Sequence, residues 1–259
     1  MTQPSYFMTP DGLRLAYEHY PATADNPGPG IFFLIGHNSD MYGTKADILK
    51  DWAIAKGVSF TRLDYYGHGL SDGSPADGTL SRWTEDAALI LSEITSGAQI
   101  LVGSSLGGWI MLNLALRMPE RIAGLVGIAA APDFTETLIW DALDDRQKQD
   151  MQTHGQIALP NPYSDEDVIY SYGLVTDGRQ HLRLNAPIPF TGPVVLHQGM
   201  ADHEVPWQTA IAIADKMDSQ SVRLNLLKAA GHRFSEPDQL DMIVGSVAEM
   251  HQQLSGSED

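Results

Sequence analysis

The chain has 259 residues, 43% of them hydrophobic, which suits one compact core carrying an insertion better than two separate domains. Sixteen Lys and Arg against thirty-three Asp and Glu give a formal charge of −17, which repels nucleic acid and anionic membrane surfaces alike. With no cysteine in the chain, a disulfide framework, a zinc-thiolate site and a cysteine nucleophile are excluded.

Residues 1–12 show no basic segment followed by an apolar run, and no stretch approaches the roughly 18 uninterrupted apolar residues of a membrane span, so neither export nor membrane insertion is expected. Residues 13–20 alternate apolar and polar side chains as a half-buried edge strand does. The stretch 21–30, with three prolines and two glycines, ends it. Short, nearly continuous apolar runs follow at 31–35, 100–102, 125–129 and 194–197, with 59–63 a weaker member, as in strands buried on both faces of a parallel sheet. Between and after them lie helical patterns at 44–56, 83–95, 106–117, 209–217 and 238–254. Strand alternating with helix predicts an α/β architecture.

Residues 134–189 break this rhythm, being far longer than an ordinary crossover. They predict a helical cap over 134–190 within a single domain of residues 1–259. The cap holds an amphipathic helix at 136–152, a turn-rich stretch at 160–164 and a shorter helix from about Asp165. Its apolar face, with Phe134, Leu138, Ile139, Trp140 and Leu143, either packs on the core or shelters an acyl chain. Residues 255–259 read as a frayed tail.

Gly103-Ser104-Ser105-Leu106-Gly107 fits G-x-S-x-G between an apolar run and a helical pattern, where a serine sits on a tight strand-to-helix turn. The helix start aims backbone N–H groups and a positive dipole end at a developing oxyanion. Ser105 is therefore the expected nucleophile, and Ser104 is read as packing. A hydroxyl needs a base and the base needs an orienting acid, which follow in the order acid, then histidine. Asp202, on the loop after residues 194–197, is the expected acid, with Glu204 the alternative. His232, in Ala230-Gly231-His232-Arg233 between a strand pattern at 222–226 and the last helix, is the expected base. His251, inside that helix, reads as a surface residue.

The expected oxyanion donors are the backbone N–H groups of Leu106 and of His37 in Ile35-Gly36-His37-Asn38-Ser39, with Asn38 the second choice for the latter. The turn from Asp64 to Ser71 lacks the lysine and the glycine spacing of a phosphate loop and reads as structural. His37, His68, His197 and His203 show no i, i+4 zinc spacing, so no metal is expected, and the chemistry requires no cofactor.

With these motifs in hand, the chain resembles the α/β-hydrolase superfamily along nearly its whole length. Within it, Gly103 to Trp109, the Asp64-Tyr65 turn, Ser71-Asp72-Gly73, Pro187-Ile188-Pro189 and the segment from His197 to Trp207 resemble the abhydrolase-domain mitochondrial acyl-protein (palmitoyl) thioesterases, also described as acyl-glucuronide esterases. The resemblance implies an eight-stranded, mostly parallel sheet flanked by helices. It implies hydrolysis of an acyl thioester or carboxylic ester, small-molecule or protein-linked, with Asn38, Trp109 and Trp207 at the substrate. Two features depart from the family: the wording of the His37 loop, and an amino terminus with no arginine-rich presequence, which predicts a cytoplasmic location. A small-ester carboxylesterase, an acyltransferase and a non-catalytic ligand-binding homologue are the competing expectations.

Overall fold

The computed structural model describes residues 3–23, 26, 28–160 and 167–256. Two strands open the chain, β1 (Ser5–Met8) and β2 (Arg14–Tyr20), joined by a turn in which Gly12 takes a positive φ of 83°. Then follow β3 (Gly30–Leu34), α1 (Thr44–Lys56), β4 (Phe60–Leu63), α2 (Leu80–Ile94), β5 (Gln99–Ser104), α3 (Leu106–Arg117) and β6 (Ile122–Ile128). Between β6 and the next strand of the main sheet lie α4 (Asp145–His154), a hairpin of β7 (Gln156–Leu159) and β8 (Val168–Ser171), and α5 (Tyr172–Gly178). β9 (Val194–Gly199), α6 (Gln208–Lys216), β10 (Val222–Leu227) and α7 (Pro237–Ser255) complete the fold.

Eight strands form one sheet in the order β1-β2-β4-β3-β5-β6-β9-β10, parallel throughout except for β2, which runs against both its neighbours. β3 and β9 are buried along their whole length, as their unbroken apolar runs require of strands covered by helices on both faces. The expected edge strand at 13–20 is a correction: β2 lies inside the sheet, because Ser5–Met8 pairs along its outer side. Four residues without a clean alternation give no periodic signal of that pairing.

The single amphipathic helix expected at 136–152 is also broken. Residues Thr135–Ile139 form a wide π turn, Trp140–Ala142 a tight 3₁₀ turn, and α4 starts afresh after Asp144. Asp144 accepts from the Gln147 N–H (2.7 Å) while the Gln147 side chain accepts from the Asp144 N–H (3.0 Å), a reciprocal cap that favours a new helix start over continuation. Of the turn expected at 160–164 and the helix from about Asp165, residues 161–166 lie outside the described residues; the helix is a correction, because Val168–Ser171 is strand β8, paired antiparallel with β7, and α5 starts only at Tyr172. Of the expected tail, residues 257–259 also lie outside them, and Ser255 belongs to α7.

Polar ties fasten the inserted segment to the body. Asp177 accepts from the N–H and hydroxyl of Ser81 at 2.8 and 2.6 Å. Asp133 accepts from the N–H groups of Arg183 and Leu184 at 2.7 and 2.9 Å. Leu143, Met151 and Val175 form a small apolar cluster of their own within the insertion.

Candidate active site

Ser105 sits between β5 and α3 at φ 54° and ψ −117°, a conformation costing a non-glycine residue on the order of 1–3 kcal/mol. Burial of nearly every side chain of α3 offsets that strain. The turn is possible because a Cβ at Gly107 would collide with the carbonyl oxygen of Leu34 and one at Gly103 with that of Gly107. The Ser105 N–H donates to Ile128 (3.0 Å), and its carbonyl accepts from Gly108 (2.8 Å) and Ala131 (3.1 Å), so β6, α3 and the loop after β6 fix its backbone.

The structure brings Ser105, His232 and Asp202 together in one line. Nε2 of His232 is 3.1 Å from Ser105 Oγ, and its Nδ1 is 2.8 Å from Asp202 Oδ2. Asp202 Oδ2 also accepts from Gln198 Nε2 (2.9 Å), while Oδ1 accepts from the N–H groups of Glu204 and Val205 (2.9 Å each). Burial alone raises the Asp202 pKa, but the bond from His232, the attraction of its ring and the two backbone N–H groups outweigh it and leave the carboxylate below its ordinary value. The two loops are tied directly: the Ala201 N–H donates to Ala230 (3.0 Å), and Lys45 Nζ on α1 donates to the Arg233 carbonyl (2.6 Å). Glu204 does not face Nδ1; its Oε2 stands 3.9 Å from Nε2, on the serine side of the ring.

Beside Ser105, Leu106 opens α3, where an N–H has no acceptor within the helix. The His37 N–H makes no hydrogen bond among the described residues, whereas the Asn38 N–H donates to Nε2 of His68 (3.3 Å) and is committed there. His68 Nδ1 lies 3.1 Å from the Tyr66 carbonyl, so that nitrogen carries the proton and Nε2 accepts. The His37 ring stacks on Tyr170 of β8 (5.4 Å between centroids, 15° between planes) and meets Trp83 edge-on at 5.7 Å. Burial, then the neighbouring His68, push the His37 pKa down to about 3, so the ring is neutral. Asp64 braces the same loop by accepting from the N–H groups of Met41 (2.7 Å) and Leu70 (2.9 Å).

Ser105 and His232 open into a cleft of about 710 Å³. Its apolar wall includes Phe134, Leu138 and Ile139 from the start of the insertion and Leu159, Val168 and Tyr170 from its hairpin. Trp140 and Leu143 turn away to the insertion's own cluster. Among the described residues no group of three or more His, Cys, Asp or Glu side chains could hold a metal ion, and no helix is long and apolar enough to cross a membrane.

The family model described as serine aminopeptidase, S33 matches residues 31–164. Human palmitoyl-protein thioesterase ABHD10, mitochondrial, is 35% identical over 255 residues, covering 98% of this chain and 82% of that one. The chain belongs to the ABHD10 family of α/β-hydrolases. The solved structure of mouse alpha/beta hydrolase domain-containing protein 10 superposes with a TM-score of 0.89 at 33% identity, covering 98% of this chain and 100% of that one. A putative hydrolase from Agrobacterium vitis S4 superposes with a TM-score of 0.92 at 35% identity, covering 96% and 98%. Membership in the ABHD10 family makes the protein a hydrolase, in keeping with its sheet order. The expected cytoplasmic location is overturned, since the ABHD10 relatives matched along nearly the whole chain are named as mitochondrial.

Three further expectations need correction in this ABHD10 relative. Trp109 is fully buried, its Nε1 donating to the His181 carbonyl (2.9 Å) and its ring meeting Phe134 edge-on, so it supports the cleft wall from behind without lining it. Trp207 stands at the start of α6 and lies outside the cleft lining. His251 is buried, not at the surface, and packs edge-on against Trp52. The sequence reading missed Tyr170, His68 and Gln198 as supports of the site, because each acts through a partner distant in the chain or through a side-chain direction that periodicity does not carry.

Proposed function

We propose that this ABHD10 relative is a serine hydrolase that cleaves an acyl thioester or carboxylic ester, in the manner of a palmitoyl-protein thioesterase, through an acyl-enzyme on Ser105. The observation carrying this reading is the line Asp202, His232, Ser105 at 2.8 and 3.1 Å, at the head of a cleft with an apolar wall. His232 takes the Ser105 proton as Oγ adds to the acyl carbonyl, and the N–H groups of Leu106 and His37 receive the oxyanion. The leaving thiol or alcohol accepts that proton from His232, and water then releases the acid. The names of the full-length relatives support a thioester, and Phe134, Leu138, Ile139 and Tyr170 support an acyl chain lying under residues 134–190. We read that segment as a cap inserted into a single domain.

The test is kcat/KM for matched thioesters and oxoesters from short to long acyl chains, with Ser105→Ala as the blank and an alcohol acceptor present to report transfer. A preference for long thioesters, with Ser105→Ala reduced about a thousandfold or more, is expected. Preference for short oxoesters with thioesters ignored makes the protein a small-ester carboxylesterase. Full activity in Ser105→Ala overturns the mechanism.

A further inference from the structure

Glu204 lines the cleft, yet the reaction just described leaves it without a task. Its backbone is fixed to the reacting groups, because its N–H donates to Asp202 Oδ1 at 2.9 Å. Its carboxylate Oε2 is 3.9 Å from His232 Nε2, with the two side chains 34% and 13% exposed. That separation is too long for a direct hydrogen bond, and one water about 2.8 Å from each atom spans it. Glu204 also faces the cap: after burial, its charge is the second influence raising the pKa of Tyr170.

We propose that Glu204 is a positioning residue for the hydrolytic water, which its carboxylate and Nε2 of His232 hold between them with a lone pair turned toward the acyl carbon on Ser105. The inference rests on the acyl-enzyme reading above. Water has two O–H donors; two acceptors on one side of it occupy both and leave a lone pair facing the ester. As the new O–C bond forms, Nε2 takes one proton while the second O–H stays bonded to Glu204. The tetrahedral intermediate collapses, the C–Oγ bond breaks, and the proton on Nε2 passes to Ser105 Oγ. The acid leaves with the oxygen of the water and the second proton still on it, gives that proton up to solvent, and as a carboxylate is repelled from the cleft by the negative charge of Glu204. An alcohol has one O–H and cannot satisfy both acceptors, so Glu204 selects water over alcohols.

The experiment uses the full chain and a chromogenic ester whose deacylation limits turnover, followed from the pre-steady-state burst onward, with and without methanol. In Glu204→Met the burst amplitude stays near that of wild type, steady-state turnover falls at least about tenfold, and the ratio of methyl ester to free acid rises by a similar factor. Glu204→Asp recovers part of the turnover. Burst and turnover falling together at a fixed product ratio mean that Glu204 acts on His232 in both steps, which overturns the proposal, as does an unchanged turnover. Should the methionine variant unfold, Glu204→Ala, which likewise offers the water no acceptor, must move the product ratio in the same direction, and a fixed ratio there overturns the proposal too. Absence of any burst in the wild type refutes the acyl-enzyme itself and is thereby told apart from a failure of Glu204.

Discussion

Asp202 accepts four hydrogen bonds, and their division between its two oxygens sets what a substitution does. Oδ1 is held by two backbone N–H groups, so an amide in its place keeps its carbonyl there and turns its NH₂ toward His232 Nδ1. A donor facing Nδ1 forces the imidazole proton onto Nε2, where it can no longer receive the proton of Ser105. Asp202→Asn is therefore expected to lower kcat by about 10⁴ with KM little changed and the fold intact, as read from steady-state kinetics and a melting curve. A loss below tenfold sinks the orienting role. At this scale the sequence was most legible where chemistry is local. G-x-S-x-G and the order of acid and histidine carry Ser105, Asp202 and His232, and the structure places them within hydrogen-bond reach. Trp109 misled because a tryptophan beside the nucleophile reads alike whether it faces substrate or core. Its ring is committed to Phe134 and the His181 carbonyl.

Among elements, the β7–β8 hairpin has the strongest consequence for the site. Tyr170 stacks on His37, whose N–H we assign to the oxyanion, so the insertion braces the loop that the chemistry uses. Tyr170→Ala removes that stack without touching the line from Asp202 to Ser105. Losing a whole oxyanion donor costs about 10²–10³ in kcat, so a donor merely loosened is expected to cost roughly tenfold. The check is kcat for a short ester, which does not reach the apolar wall of the cleft at Phe134, Leu138 and Leu159. If only KM for long chains changes, the hairpin contacts acyl chains and does not brace the loop. This hairpin was invisible in sequence, as its four-residue strands show no usable period. α1 and α3, by contrast, match their sequence patterns from end to end, because a glycine in a left-handed conformation stops the first and the elbow starts the second. The break of the single helix expected at 136–152 depended on the reciprocal cap at Asp144, which periodicity does not carry.

For the molecule as a whole, buried titratable groups predict how stability follows pH. Burial holds His197 neutral, with the charge of Arg223 helping, at a pKa of about 4, and His37 at about 3, against 6.5 when exposed. Each contributes stability that is complete above pH 6.5 and is lost as the pH falls toward the folded value. Asp86 works the other way: burial lifts it to about 6, outweighing the Tyr66 N–H and Arg82, so its contribution is complete below 3.8 and lost as the pH rises through about 6. Near pH 5 these two histidines oppose this one aspartate, and the three together leave the unfolded chain about one proton richer, a slope on the order of 1 kcal/mol per pH unit; His19, His68, His181 and His251, lowered by burial, act in the same sense, and Asp64 and Asp133, raised by burial, in the opposite one. Relief of repulsion within a chain of formal charge −17 acts against this slope as acid is added. The informative quantity is therefore the difference between wild type and His197→Asn, whose site on β9 is far less open to solvent than that of His37. Urea midpoints measured from about pH 4.5 to 6.5 are expected to rise less steeply with pH in the variant, even if it is weaker throughout. Equal slopes mean that His197 binds its proton alike in folded and unfolded chains, and acid sensitivity must then come from the other histidines that burial holds neutral, His37 and His68 among them, and from the carboxylates.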